Sequence, residues 1–283
     1  MPKLIDPGPS RRGWHRLQLV LQCPRKYAIR AARKHGGTVR PTTRAPFIKG
    51  GLLHTALAHR YTLRADPEAD VYQPLDAIDK HIEAQPNPQD WREHKGLVAQ
   101  AYLEYELHWA SERWETVAVE KELTATIRDE RRDVGYLYTQ RLDLAVRNPA
   151  TGLVYFVDHK SASRLTSSTA RRYSLSGQFR GYNFFGRGLL GDKFGGTILN
   201  LVQWPDKKGN VKLLRTDLSP APHADKTFRD TVVHAERLIH DLRDRYGHET
   251  LNPMAWPAAH HETACWTQFG ACENHDRCEW GTA

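Results

Sequence analysis

Apolar side chains recur at helical spacing along the first third of the chain. Residues 14–34 follow this pattern, and Pro24 marks a break or a fresh first turn within them. A second helix is predicted from about Phe47, and a third over residues 91–113. The segment 66–90 is rich in Pro, Asp and Gln, which is typical of a surface connection.

The pattern changes in the middle of the chain, where Val, Leu, Tyr and Thr fill three short runs. These runs, at 116–127, 136–147 and 153–160, are separated by charged or glycine-containing turns and predict a three-stranded meander. The remaining segments predict a long helix, a strand, a hairpin, a strand and a helix, at 167–190, 196–204, 206–210, 211–217 and 223–246. This order indicates an α/β fold with a mixed central sheet flanked by helices.

Two carboxylates and a lysine fall on the predicted strands. Asp143 lies in R-L-D-L-A-V on the second strand, and Asp158 and Lys160 end the third in Y-F-V-D-H-K. Adjacent antiparallel strands can bring the carboxylates together, and Lys160 shares a face with Asp158 because strand side chains repeat every two residues. Two carboxylates with a backbone carbonyl form an oxygen site that Mg²⁺ prefers, and such a site suits hydrolysis. A lone D-x-K, however, should occur about once by chance in a chain of this length.

The charge balance is basic, with 41 Lys and Arg against 33 Asp and Glu and a net charge of +8. Such a balance suggests a polyanionic partner, most simply nucleic acid, because Lys and Arg release counterions from phosphates. The N-terminus lacks a leader pattern, and no window of about 18 apolar residues occurs. We therefore expect a protein of a reducing cytoplasm, with no membrane partner.

The four cysteines are divided between the two ends of the chain: Cys23 stands near the start, and Cys265, Cys272 and Cys278 lie near the end. In a reducing cytoplasm, clustered cysteines are more often metal ligands than disulfides. The C-x6-C-x5-C spacing lacks the C-x2-C knuckle of most zinc sites, and four thiolates suit an iron-sulfur cluster. Zinc is the alternative, because histidines that could replace a cysteine lie nearby. These are His260, His261 and His275.

Six short motifs follow one another along the chain. They are C-P-R-K-Y at 23–27, G-L-L-H at 51–54, R-L-D at 141–143, V-D-H-K at 157–160, Q-F-R-G-Y at 178–182 and the closing C-x6-C-x5-C. In this order they resemble the RecB-like branch of the PD-(D/E)xK nucleases, especially phage-type exonucleases and CRISPR adaptation nucleases with an iron-sulfur cluster. The resemblance implies a restriction-endonuclease-like core forming a single domain over 1–283, with a helical region at 50–115 and a cysteine segment at 265–278.

The resemblance also implies roles for single residues. The implied ligands of a Mg²⁺ or Mn²⁺ ion are His54, Asp143, Asp158 and the carbonyl of His159. Lys160 would be the catalytic lysine, and Gln178 and Tyr182 would support the site or contact the substrate backbone. The implied ligands of a 4Fe-4S cluster joining the two ends are Cys23, Cys265, Cys272 and Cys278. The chain departs from many relatives by carrying Asp158 in place of Glu, which shortens the side chain by one methylene.

Two glutamates of the first predicted strand are additional candidate ligands. They are Glu120 and Glu122. A carboxylate on a strand is more often solvated than bound to a metal, so we expect both side chains to face solvent.

The sequence therefore predicts a metal-dependent DNA nuclease, most simply an exonuclease in DNA recombination, repair or phage DNA metabolism. The expected substrate is single-stranded DNA or DNA with free ends. A helicase or recombination protein is an expected partner, because the chain has no Walker motif for a motor of its own. Two alternatives remain: a noncatalytic DNA-end-binding protein with a structural metal cluster, and a zinc-stapled RNA-processing nuclease. The intact Asp143, Asp158 and Lys160 argue against the first alternative.

Overall fold

The computed structural model describes residues 2–5, 10–35, 45–259, 262–267, 270–274 and 278. The α-helices of this described part are α1 (Trp14–Gln22), α2 (Pro24–His35), α3 (Ala45–Ala65), α4 (Pro74–Glu83), α5 (Pro88–Arg92), α6 (Lys95–His108), α7 (Ser167–Ser174), α8 (Gly177–Leu190), α9 (His223–Tyr246) and α10 (Glu262–Cys265). The strands are β1 (Glu115–Asp129), β2 (Val134–Arg147), β3 (Val154–Ala162), β4 (Phe194–Gln203), β5 (Lys212–Asp217), β6 (Trp266–Thr267) and β7 (Gly270–Ala271).

Strands β1 to β5 form one mixed sheet in sequence order, and β6 pairs with β7 in a separate hairpin. Strands β2 and β3 are antiparallel, β3 and β4 are parallel, and β4 and β5 are antiparallel. Parallel neighbours need a long crossover connection, and α7 and α8 supply it between β3 and β4. The predicted α/β class, a mixed sheet flanked by helices, is confirmed.

Two predictions of local structure were wrong, and both errors have a physical cause. The segment 66–90 contains α4 and α5, which begin at Pro74 and Pro88. Proline is well suited to the first position of a helix, because the N–H that it lacks would have no partner there. The single helix predicted over 167–190 is instead two helices, since Ser176 caps α8 with its hydroxyl.

The apolar stripe of α3 packs against the sheet and against α4 and α6. Burial of one leucine-sized side chain contributes about 1.5–3 kcal/mol, so this layer holds α3 firmly on the strands. As a result, His54 on α3 lies close to β2. Buried members of this cluster include Leu52, Leu53, Ala56, Leu57, Leu144, Val157 and Val202.

The chain divides into two compact units. Unit 1 comprises Met1–Ser10, Pro41–Leu123 and Thr139–Asp225, and unit 2 comprises Arg11–Arg40, Thr124–Tyr138 and Lys226–Ala283. The assignment of both units to one nuclease domain stays a prediction. None of the helices in the described ranges is long and apolar enough to cross a membrane.

Ion pairs hold α9 within unit 2. Arg16 of α1 donates hydrogen bonds of 2.5 and 2.7 Å to the carboxylate of Glu236. Arg243 donates bonds of 2.7 and 2.6 Å to Glu249, which also accepts a bond of 3.1 Å from the hydroxyl of Tyr27. Burial alone would raise the pKa of Glu249, but the hydrogen bonds from Arg243 outweigh it and lower that pKa to about 2.

The Glu249 contacts predict a pH-dependent contribution to stability. Because the pKa in the folded state lies below the ordinary value of 4.5, this contribution is complete above that value and is lost as the pH falls toward about 2. At neutral pH, Glu249→Gln should lower the free energy of unfolding by about 1–2 kcal/mol, a modest cost because Arg243 is partly exposed to solvent.

Urea unfolding of both proteins from neutral to acidic pH measures this difference. The difference in the free energy of unfolding between wild type and Glu249→Gln should disappear as the pH falls below 4.5, the ordinary pKa of a glutamate. Glu130→Gln, at an exposed position of the same unit, is the control and should show no such gap. A difference in the free energy of unfolding that does not change with pH would contradict the lowered pKa of Glu249.

Candidate active site

Strands β2 and β3 bring Asp143 and Asp158 together. In the antiparallel register Leu144 lies opposite Val157, and the two aspartates are the residues next to this pair. The backbone N–H of His159 donates a hydrogen bond of 2.8 Å to Oδ2 of Asp143. The strand pairing therefore places both carboxylates at neighbouring positions, as the sequence pattern predicted.

Asp158 is fully buried, and both of its oxygens have partners. Its Oδ2 forms an ion pair with the ammonium of Lys160. Its Oδ1 lies 2.9 Å from Nε2 of Gln178 and 2.9 Å from the hydroxyl of Tyr182. Gln178 and Tyr182 stand one turn apart on α8 and so present both donors from one helix face. The predicted site residues of β3 and α8 thus meet at this carboxylate.

The charges of the site influence one another strongly. Burial alone would lower the pKa of Lys160, but the carboxylates of Asp158 and Asp143 attract its ammonium and raise that pKa. Burial raises the pKa of Asp143, against the opposing effect of His54, and the nearby Asp158 raises it further. Two carboxylates facing one ammonium leave an excess of negative charge that a bound cation would balance.

A set of metal-ligand side chains surrounds Asp143. Nδ1 of His54 lies 3.4 Å from Oδ2 of Asp143. One ligand atom each from His54, Glu120 and Asp143 lies within 4.8 Å of the other two. Carboxylate oxygens and an imidazole nitrogen are ligands that Mg²⁺ and Mn²⁺ accept, so the donor set fits a divalent cation.

Glu120 corrects an expectation drawn from the sequence. Glu122 is exposed as expected, but Glu120 is half-buried and lies beside His54 and Asp143. Its backbone φ is +46°, a left-handed conformation that disturbs the alternation of β1. The sequence identified Glu120 as a candidate ligand, but regular strand periodicity gave no sign of its backbone conformation and so favoured a solvated side chain.

The side chain of His159 lies in a buried polar network that sequence analysis did not find. Nε of Arg215 donates a 3.1 Å bond to Oδ1 of Asn200, which orients the amide so that its Nδ2 donates to Nδ1 of His159 at 2.8 Å. The His159 ring also stacks on Tyr61 and meets His54 edge-on. Burial lowers the pKa of His159, and the neutral ring therefore carries its proton on Nε2.

The four cysteines belong to unit 2, and all are free thiols. Cys23 lies between α1 and α2, and the backbone N–H of Cys272 donates a 2.7 Å bond to the carbonyl of Cys265. Burial raises the pKa of the Cys278 thiol, against the opposing effect of Arg25, and the thiols of Cys23 and Cys272 raise it further. The four thiols form an all-sulfur donor set, which in its chemistry fits a soft metal centre.

The histidines that would support a zinc site lie outside the described residues. They are His260, His261 and His275. The choice between an all-cysteine centre and one with a histidine ligand therefore stays a prediction.

Comparisons with known proteins relate these features to a family. A family model described as the PD-(D/E)XK nuclease superfamily matches residues 14–279. No curated protein matches the sequence. A solved structure titled "Crystal structure of SSO0001" is similar at 15% identity and a TM-score of 0.34, over 75% of this chain and 84% of that chain.

Removing the hydroxyl of Tyr182 tests the hydrogen bonds around Asp158. Tyr182→Phe should lower the free energy of unfolding by about 1–3 kcal/mol, because a buried acceptor loses one of its donors. Chemical denaturation measures the change. Tyr155→Phe, on β3, is the control, because the ring of Tyr155 stacks on Trp114 and would be retained. Equal stability of Tyr182→Phe and wild type would contradict this hydrogen bonding.

Proposed function

We propose that this chain, which belongs to the PD-(D/E)XK nuclease superfamily, is a metal-dependent deoxyribonuclease that hydrolyses phosphodiester bonds. The observation that carries the proposal is the convergence of Asp143, Asp158 and Lys160 on neighbouring strands, with His54 of α3 beside them. The same residues argue against a noncatalytic DNA-binding protein, which would not need this arrangement of buried charge.

The proposed ligands of the cation are His54, Asp143, Asp158 and the carbonyl of His159. A bound Mg²⁺ or Mn²⁺ would lower the pKa of a coordinated water and neutralise charge on the phosphate. Lys160 would orient the attacking water or stabilise the charge that develops on the phosphate, since its ammonium is held at Asp158. Gln178 and Tyr182 would keep Asp158 in place through their hydrogen bonds.

DNA is the proposed substrate, bound mainly through its phosphates. The net charge of +8 favours a polyanion, and phosphate contacts carry no sequence preference. We further propose exonucleolytic cleavage of single strands or free ends, with a role in recombination, repair or phage DNA metabolism. Cooperation with a helicase or recombination protein belongs to the same proposal. The resemblance of the six motifs to RecB-like nucleases supports the exonucleolytic cleavage, the biological role and the partner protein.

Cleavage assays in Mg²⁺ or Mn²⁺ test the nuclease proposal. End-labelled single-stranded and duplex DNA should be degraded from the ends, while circular DNA should persist. Asp143→Asn and Lys160→Gln should each slow cleavage by about 10²- to 10⁴-fold, because each removes a group acting at the reaction centre. Both substitutions keep a polar side chain of similar size in the buried site.

Binding of the same DNA should persist in both variants, since phosphate contacts elsewhere supply most of the affinity. Lys193→Gln, at an exposed lysine after α8, is the charge-matched control and should cleave normally. Wild-type rates in folded Lys160→Gln would contradict the assigned site. Discrete cuts in circular DNA would instead indicate a sequence-specific endonuclease, and preferential cleavage of RNA would favour the RNA-processing alternative.

A 4Fe-4S cluster bound by Cys23, Cys265, Cys272 and Cys278 is the second part of the proposal. One contact in unit 2 supports it: the backbone N–H of Cys272 donates a hydrogen bond of 2.7 Å to the carbonyl of Cys265. Such a cluster would join α2 to the C-terminal segment, which already accepts a 3.0 Å bond from the Arg25 N–H at the carbonyl of Pro257. We propose a structural role, because hydrolysis needs no electron transfer.

Metal analysis of anaerobically purified protein tests this cluster. The protein should be brown and contain about four irons per chain. Cys272→Ser should lose iron and melt at a lower temperature, because the cross-link between distant parts of the chain is removed. Asp143→Asn is the control and should keep its iron while losing cleavage. Colourless, folded protein with stoichiometric zinc would overturn the cluster assignment and leave the nuclease proposal intact.

A further inference from the structure

A cavity of about 350 Å³ lies within unit 2, apart from the residues proposed for catalysis, all of which belong to unit 1. Its lining comes from the residues before α1, from α1, α2, β2 and α9, and from the segment after α9. A cavity of this size lies at the lower end of the range for small-molecule sites. Among the described residues that line it are four arginines and two glutamates, namely Arg11, Arg12, Arg16, Arg243, Glu236 and Glu249.

Both glutamates of the cavity are already paired with arginines. Glu236 accepts two hydrogen bonds from Arg16, and Glu249 accepts two from Arg243. The glutamate side chains are only 6% and 4% exposed, whereas those of Arg16 and Arg243 are 22% and 31% exposed. The part of each ion pair that a ligand can reach is therefore the guanidinium.

The arginines of the cavity retain hydrogen-bond donors for a ligand. Arg243 binds Glu249 through Nε and Nη2, and no hydrogen bond within the described part of the chain uses its Nη1. Arg11 and Arg12 are exposed where the chain enters α1. A guanidinium carries five N–H donors in one plane, and pairs of these donors match the oxygens of a phosphate group.

The charge of the lining favours a phosphate monoester. The two glutamates balance two of the four guanidiniums, which leaves an excess of two positive charges without His240 being counted. A phosphate monoester carries about −1.5 to −2 charges at pH 7, whereas each phosphodiester within a DNA strand carries one. Hydrolysis of a phosphodiester bond produces a monoester at one of the two new ends, so the proposed reaction creates this group.

Two rings of the cavity favour a nucleotide over a simple phosphate ion. His240 is exposed, and its ring lies against that of Tyr136 with 5.6 Å between the ring centroids. Both rings line the same cavity as the arginines. Aromatic side chains provide surfaces on which any nucleobase can stack.

We propose that this cavity, here named the arginine pocket, binds the terminal phosphate of a nucleotide. The guanidiniums of Arg11, Arg12 and Arg243 bind the phosphate oxygens, and the His240 ring contacts the base or sugar. The choice of a nucleotide rests on the proposed nuclease, because that reaction releases ends of this kind. The phosphate belongs either to a free mononucleotide or to the end of a DNA strand, since both carry the same group.

Binding measurements without divalent cations test the arginine pocket, because no metal-dependent cleavage then occurs. The nucleotide series is 5′-dAMP, 3′-dAMP and deoxyadenosine, and the strand series is one fluorescent oligonucleotide with a phosphate at its 5′ end, at its 3′ end or at neither. The phosphate should increase affinity at least about tenfold in one series, which is the contribution of about one hydrogen bond between charged groups. An effect in the nucleotide series assigns the pocket to free nucleotides, and an effect in the strand series alone assigns it to strand ends.

Arginine variants locate this effect. Arg11→Gln combined with Arg12→Gln should remove most of the gain from the phosphate, whereas Arg11→Lys combined with Arg12→Lys should keep part of it because the charge remains. Arg229→Gln combined with Arg245→Gln is the charge-matched control, on exposed positions of α9 that are not among the described residues lining the pocket. Since all four arginines are exposed, each variant should melt at about the wild-type temperature.

Equal affinity for phosphorylated and unphosphorylated ligands in both series would overturn the arginine pocket. An equal loss of phosphate-dependent affinity in the pocket variant and in its charge-matched control would also overturn it, because net charge alone would then explain binding. Either result leaves the nuclease proposal standing if the wild-type protein cleaves DNA in Mg²⁺. Phosphate-dependent binding that only the pocket variant loses, in a protein that cleaves no DNA, would support the pocket and contradict the nuclease.

Discussion

The buried ion pair between Asp158 and Lys160 constrains the arrangement of unit 1. A carboxylate removed from water is costly unless a counter-charge and hydrogen bonds replace the lost hydration, and removal of one partner of such a pair typically costs about 3–5 kcal/mol. Lys160 supplies the charge from the same strand face, and α8 supplies Gln178 and Tyr182. The start of α8, capped by Ser176, must therefore lie at this point of β3.

A second set of buried charges supports the opposite side of β3. The guanidinium of Arg215 pairs with Glu112 and lies 3.6 Å from the ring centroid of Trp109, while its Nε orients Asn200. Asn200 in turn fixes the ring of His159, whose backbone N–H holds Asp143. Strand β3 thus carries Asp158 and Lys160 on one face and the His159 ring, held by Asn200, on the other. This explains why neighbouring residues of β3 are both buried and polar.

The strand pattern was sufficient to predict the mixed sheet and the meeting of Asp143 with Asp158 on adjacent strands. It also predicted that Lys160 shares a face with Asp158, because side chains alternate between the two faces of a strand. The i, i+4 spacing of Gln178 and Tyr182 likewise predicted one helix face. Contacts between distant parts of the chain have no such local signal: Arg215 and Glu112 are remote in sequence, and no pattern links them. The left-handed φ of Glu120 could not be predicted either, since strand propensity does not report the φ angle of a single residue.

Anomalous diffraction from crystals grown with Mn²⁺ would show whether a divalent cation binds at His54 and Asp143. We expect an anomalous peak at about 2.0–2.3 Å from an imidazole nitrogen of His54 and from a carboxylate oxygen of Asp143. Absence of a peak between these residues, in crystals of protein that cleaves DNA in the same Mn²⁺ solution, would contradict it.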